Sequence, residues 1–109
     1  MAGLTAAAAA ATEALTMSSR EIAKLTGKRH DNVVRDIRDM LEDLTIDGLR
    51  FEGVYRDAKG EQIPCFNLPK RETLILISGY STRIRARIID RWMELEAEAQ
   101  SRGAKEGSP

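Results

Sequence analysis

Between positions 28 and 38 the chain carries Lys28, Arg29, His30, Asn32, Arg35 and Arg38, in the stretch KRHDNVVRDIR. These side chains are cations and forked donors, and their chemistry is recognition. An amide can pair with the edge of adenine, and a guanidinium with guanine or a phosphate. Bond-making chemistry finds less to work with. There is one histidine, His30, and one cysteine, Cys65. A zinc site usually takes three or four Cys or His ligands. A Cys–His or Ser–His nucleophile would need His30, which lies beside Lys28 and Arg29 and far from Cys65. No disulfide can close within the chain. A P-loop, a Gly-rich dinucleotide turn and an HExxH pair are all missing. The expectation is a protein without catalysis, cofactor or metal.

The elements that must position those donors fit into 109 residues, the size of one domain with tails. Lys plus Arg number 17 and Asp plus Glu 17, so the formal net charge is zero and any case for a polyanionic partner rests on local charge. No run of roughly 18 apolar residues is present to span a membrane. Residues 1–14 hold an alanine tract, Ala6 to Ala11, without the basic flank or leucine-rich core of a signal peptide. They are expected to form a disordered tail, as are the polar residues 98–109, and Met17 is an alternative start. The folded domain is expected over 15–97, in a bacterial cytoplasm.

Leu15-Thr16-Met17 reads as a short edge strand. Ser18 or Ser19 caps a helix over 19–26, with Glu21 at the spacing of a capping box, Ile22, Ala23 and Leu25 turned inward, and Gly27 as the stop. A second helix, about 31–44, carries Val33, Ile37, Met40, Leu41 and Leu44 on one stripe, with Asp31 at its start. Ala23, Gly27, Val33 and Ile37 stand near the spacing of a helix-turn-helix, with a slightly long turn at Lys28-Arg29-His30. An ordinary helical hairpin has the same pattern.

Beyond Gly48 the period changes. Phe51–Tyr55 and Ile63–Leu68 read as strands joined at Asp57-Ala58-Lys59-Gly60, with Pro64 indicating an edge. A third helix covers 70–78, with Leu74, Ile75, Leu76 and Ile77 as a buried run; such a run also suits a strand, but Pro69 at the start and Glu72 in the first turn favour a helix. A fourth runs from Ser81 or Thr82 to about Glu96. The expected fold class is therefore α+β: a small winged-helix-like domain of helix-turn-helix, β-hairpin and two further helices.

Projected down the second helix, Asn32, Arg35, Asp39 and Glu42 lie opposite the apolar stripe, with Arg38 on the flank. Donors gather at the N-terminal half and acids at the other, so phosphates would favour entry by the N-terminal end. Lys59 at the hairpin tip could touch phosphate. Residues 70–93 hold six basic and two acidic residues. Arg83, Arg85 and Arg87 are candidates for phosphate or a partner, although pairing with Glu42, Asp43 or Glu94 would equally use such cations. His30 is expected to be exposed. Ile84, Ile88, Trp92 and Leu95 form a stripe that suits a central helix or a homodimer contact.

Three segments, MSSREIAKLTGKRHDNVVRDIRDML, FEGVYRDAKGEQIPCFNL and KRETLILISGYSTRIRARIIDRWMELE, together resemble the phage regulatory protein Rha family over about Leu15 to Glu96. The last helix, GYSTRIRARIIDRW, departs from the lysine-rich helix of many members. The resemblance implies a phage or prophage regulator with a DNA-binding module. In longer members an antirepressor-type domain follows, which this chain is expected to lack. The first functional expectation is a transcriptional regulator of double-stranded DNA, with Lys28, Arg29, His30, Asn32, Arg35 and Arg38 in or beside the major groove and half-sites about 34 Å apart if dimeric. The alternative is an antirepressor-type interaction protein that binds a phage or host regulator through its C-terminal helix.

Overall fold

The computed structural model describes residues 15–107. Its elements in order are β1 (Met17–Ser18), α1 (Ser19–Thr26), α2 (His30–Asp43), a 3-10 turn (Gly48–Phe51), β2 (Glu52–Arg56), β3 (Gln62–Leu68), α3 (Lys70–Ile77) and α4 (Thr82–Gly107). The fold is α+β and winged-helix-like: four helices and an antiparallel sheet of order β1-β3-β2. The expectation for residues 1–14 lies outside the described residues.

Strand becomes helix at Ser18. Met17 pairs with Leu68 and Ser18 with Asn67. At the next rung the chain has already turned helical, and the Ser19 hydroxyl accepts the Phe66 N–H at 3.0 Å in place of a main-chain carbonyl. Ser18 is the N-cap, accepting from the Arg20 N–H. The reciprocal half of the expected capping box is not made, because Glu21 turns to Arg91 on α4 at 3.4 Å. Gly27 ends α1 at φ +73°, and Thr26 Oγ1 accepts from the Lys28 N–H beyond it.

Helix α2 starts after Arg29, not at an Asp31 cap: Arg29 is the N-cap without a side-chain bond, and Asp31, inside the first turn, accepts from Asn32 N–H. Its carboxylate still complements the helix dipole. The helix ends before Thr45, which adopts φ +58°. A β-branched residue is poorly suited to the left-handed region.

The hairpin pairs Glu52–Arg56 with Gln62–Leu68. At its tip Asp57 Oδ1 accepts from the N–H groups of both Lys59 and Glu61 at 2.9 Å, and Gly60 takes φ +82°. Pro64 pairs with Val54 where β1 does not reach, so its missing N–H faces no neighbouring strand. Gly53 lies against Asn67; a Cβ there would stand 2.5 Å from Asn67 Nδ2.

Ile22, Val33, Ile37, Leu68, Ile77, Ile88 and Trp92 form the centre of the core, with Ala23 at the α1 crossing. In α3 helical rotation turns Leu74 to solvent, so the expected buried run is only Leu76, Ile77 and part of Ile75, with Thr73 behind them. Helix α4 continues to Gly107, past the predicted end near Glu96, so 98–107 are helical. The stretch AEAQSR is made of good helix formers. Lys70 Nζ donates to Glu96 at 2.9 Å and binds α3 to α4.

Ser19→Ala should lower stability by about 1–3 kcal/mol, since it leaves a buried N–H without an acceptor; urea melts will show the loss. Thr45→Asn should raise the melting temperature, because asparagine tolerates the left-handed conformation.

Candidate nucleic-acid interface

Two tyrosines bracket the N-terminal turn of α2, and both were missed as site residues in the sequence. Tyr55 of β2 meets the edge of His30, with ring centroids 5.8 Å apart. The Arg20 guanidinium stacks over the same tyrosine at 4.3 Å. On the other side Tyr80, in the α3–α4 loop, donates from its hydroxyl to Asp36 Oδ2 at 3.0 Å. Lys28 Nζ lies 4.6 Å from the Tyr80 ring centroid and 3.7 Å from the same Asp36 oxygen. Burial, aided by Asp36, pushes the Tyr80 hydroxyl above its ordinary pKa. Tyr55 precedes Arg56 and Asp57, which was a local signal, whereas Tyr80 lies between Gly79 and Ser81, where no local signal marked it.

The expected donors divide into open and engaged. Arg35 is exposed, and among the described residues it has no ion-pair or hydrogen-bond partner. Asn32 is half-buried at the same end. Arg38 is exposed, with its guanidinium 5.9 Å above Phe66. Arg29 is open to solvent and pairs loosely with Asp31 at 3.3 Å. Lys59 stands exposed on the hairpin tip, where Arg56 donates to the Gly60 carbonyl at 2.9 Å.

His30 corrects the expectation of an exposed ring. It is half-buried, with Nε2 at 2.8 Å from Ser19 Oγ. That hydroxyl also accepts from Phe66 N–H, and its proton and its second lone pair are both free to meet the ring nitrogen. Burial and then the Arg20 charge hold the His30 pKa below its ordinary value, against a smaller opposing effect of Asp31. His30 is therefore the joint between α1, α2 and the sheet, and its Nε2 is committed to that joint.

Charges on α2 are sorted by flank as well as by end. Val34 and Arg38 face the hairpin across a cleft of about 510 Å³, floored by Cys65 and Phe66. Cys65 is a buried free thiol. Asp36, Asp39 and Asp43 line the opposite groove, with Ile75 and Leu76 of α3.

On α4, Arg85 donates to Thr82 Oγ1 at 3.0 Å. Among the described residues no carboxylate pairs with Arg83, Arg85 or Arg87. Arg91 is the consumed cation, shared by Glu21, Glu94 and Glu98. Of the stripe that suits a central helix or a homodimer contact, Ile88 and Trp92 are buried within the chain, and Leu95 packs against the core. Ile89 and Met93 are the exposed apolar residues of α4 instead. The described residues contain no group of three His, Cys, Asp or Glu able to hold a metal ion. No described helix is long and apolar enough to cross a membrane.

These elements define a small winged-helix-like module. The family model for phage regulatory protein Rha matches residues 17–97, and the chain belongs to that family, a regulatory rather than a catalytic one. A protein of Haemophilus influenzae described as uncharacterized is 36% identical over 73 residues, which are 63% of this chain and 42% of that relative. The chain thus spans less than half the length of the curated relative it matches. No solved structure matches.

Since the folded chain resists a proton at His30 that the unfolded chain takes up near pH 6.5, stability should fall as pH drops below about 6.5 and level off under the depressed folded value. Denaturant melts at pH 7.5 and 5.5 should show that slope in the wild type and a shallower one in His30→Gln.

Proposed function

We propose that this domain is a phage or prophage transcriptional regulator that binds double-stranded DNA. In this reading the N-terminal half of α2 enters the major groove and the β2–β3 hairpin lies on the backbone as a wing. One observation carries it: Arg35 stands exposed on the open side of α2 and Arg38 lines the cleft toward the hairpin, while Asp36, Asp39 and Asp43 line the groove on the α3 side. A helix presented this way offers donors to base edges and keeps much of its negative charge off the phosphates.

Each residue has a role under this proposal. Arg35 and Asn32 read base edges. Arg38 reaches the groove wall from the cleft side. Arg29 and Lys59 touch phosphate from the helix start and the hairpin tip, and Arg20 joins them on its tyrosine platform. Lys28 is held by Asp36 and Tyr80 and orients the turn as much as it contacts a ligand. His30 supports the turn from behind. Arg85, at the start of α4, extends the cationic surface. The family supports a regulatory role for the chain.

A second reading is an antirepressor-type protein that binds another regulator through α4. The exposed Ile89 and Met93 favour it, because apolar side chains on a charged helix suit a protein partner better than DNA.

The test is binding to random and phage-operator-like duplexes across a salt series. The wild type should bind selectively, with affinity falling steeply as salt rises. Arg35→Ala should cost about 1–3 kcal/mol and relax preference at one position, whereas Lys59→Ala should weaken all sequences alike and reduce the salt slope by about one. Weak, unselective binding that neither substitution changes overturns the proposal.

A further inference from the structure

Helix α4 is 26 residues long, about 39 Å at the usual rise. One side of it builds the core through Ile88 and Trp92. Away from that side, Ala86, Ile89, Met93, Ala97 and Gln100 follow one another at spacings of three and four, and all are exposed. Met93 is 62% exposed and Ile89 41%. Large apolar residues spaced by small ones make a stripe along which a second helix can approach closely.

The charges beside the stripe are divided along its length. Arg83 and Arg87 lie before its centre and have no carboxylate partner among the described residues. Glu94 and Glu98 lie after it and share the single guanidinium of Arg91 with Glu21. One half has cations in excess and the other has carboxylates in excess, with the exposed Asp90 near the centre. A duplex, which is negative throughout, does not match that order. The same helix reversed does.

We propose that this face of α4 is a self-association surface on which a second copy of the chain packs antiparallel. The two-fold axis passes near residue 91, so Ile89 meets the second copy's Met93 in both directions. Arg87 and Arg83 then stand opposite the second copy's Glu94 and Glu98. A surface complementary to itself under a two-fold rotation is what a closed dimer requires. The stripe is independent of α2, so self-association holds or fails apart from DNA binding.

Sedimentation velocity over a concentration series tests the proposal. The wild type should pass from monomer to dimer as concentration rises. Ile89→Glu combined with Met93→Glu should stay monomeric, with an unchanged circular dichroism spectrum and thermal melt because both side chains already face solvent. Arg87→Glu should weaken self-association about tenfold or more by setting like charges across the contact. Adding Glu94→Arg to the same chain should restore it, as only the antiparallel order pairs those positions. Oxidising a mixture of Ala86→Cys and Ala97→Cys chains should give mainly the mixed disulfide. A wild type that stays monomeric at every concentration overturns the proposal and leaves the face to a different regulator. A dimer that survives the double glutamate substitution, or a preferred 86–86 disulfide, overturns it as well.

Discussion

The arrangement depends on one hydroxyl. Ser19 stands where β1 gives way to α1, and its oxygen serves two neighbours: the Phe66 N–H from β3 and the His30 ring from the start of α2. The strand cannot continue past Ser18 if the first helix is to begin. Without a substitute acceptor, a buried N–H on β3 would be left open. Because the substitute is a hydroxyl, it has hydrogen-bonding capacity left over, and that capacity meets the His30 ring at the start of the second helix. Three elements distant in sequence are thereby fixed at one atom, and the angle at which α2 leaves the body is set there. The hydrophobic crossing through Ala23, Val33 and Ile37 supplies most of the burial. The hydroxyl supplies the register.

Around that joint, aromatic rings do the positioning that a longer sheet would otherwise do. Tyr55 holds Arg20 and His30 on one flank, and Tyr80 holds Lys28 and Asp36 on the other. Each ring takes the charged head of a cation against its face, Arg20 on Tyr55 and Lys28 on Tyr80. The basic residues at this end therefore fall into two kinds. Those stacked on tyrosine have defined directions, Arg29 is held at the surface by Asp31, and Arg35 keeps its freedom. A surface that must first find a target and then fit it benefits from both.

Much of this was legible in the sequence. Apolar periodicity placed α1, α2 and α4, Pro69 and Glu72 placed α3, and Asp57 through Gly60 placed the hairpin turn, because those signals are local. The joint was not legible, since the pairing of Ser19 with Phe66 links positions that nothing local connects. The same holds for Tyr80 and Asp36. His30, read among cations, looked exposed, and only the turn of β2 toward it explains why it is not. Glu21 had the spacing of a cap partner and yet pairs with Arg91, a contact made by tertiary packing. On α4 the wide apolar coverage was correctly seen, and of the two readings open for its stripe, a central helix or a dimer contact, the burial of Ile88 and Trp92 fits the first. Periodicity reports that a helix has two apolar sides and does not say which one faces inward.

The hairpin tip has a consequence for how any ligand there would be held. Asp57 closes the turn with two main-chain bonds from a single carboxylate oxygen, and Gly60 takes the one conformation a side chain would resist. Fixing a loop residue costs roughly 1–2 kcal/mol in conformational entropy. At this turn that ordering is complete before anything binds. A contact made by Lys59 loses only side-chain freedom, so more of its strength would persist in the lifetime of the bound state.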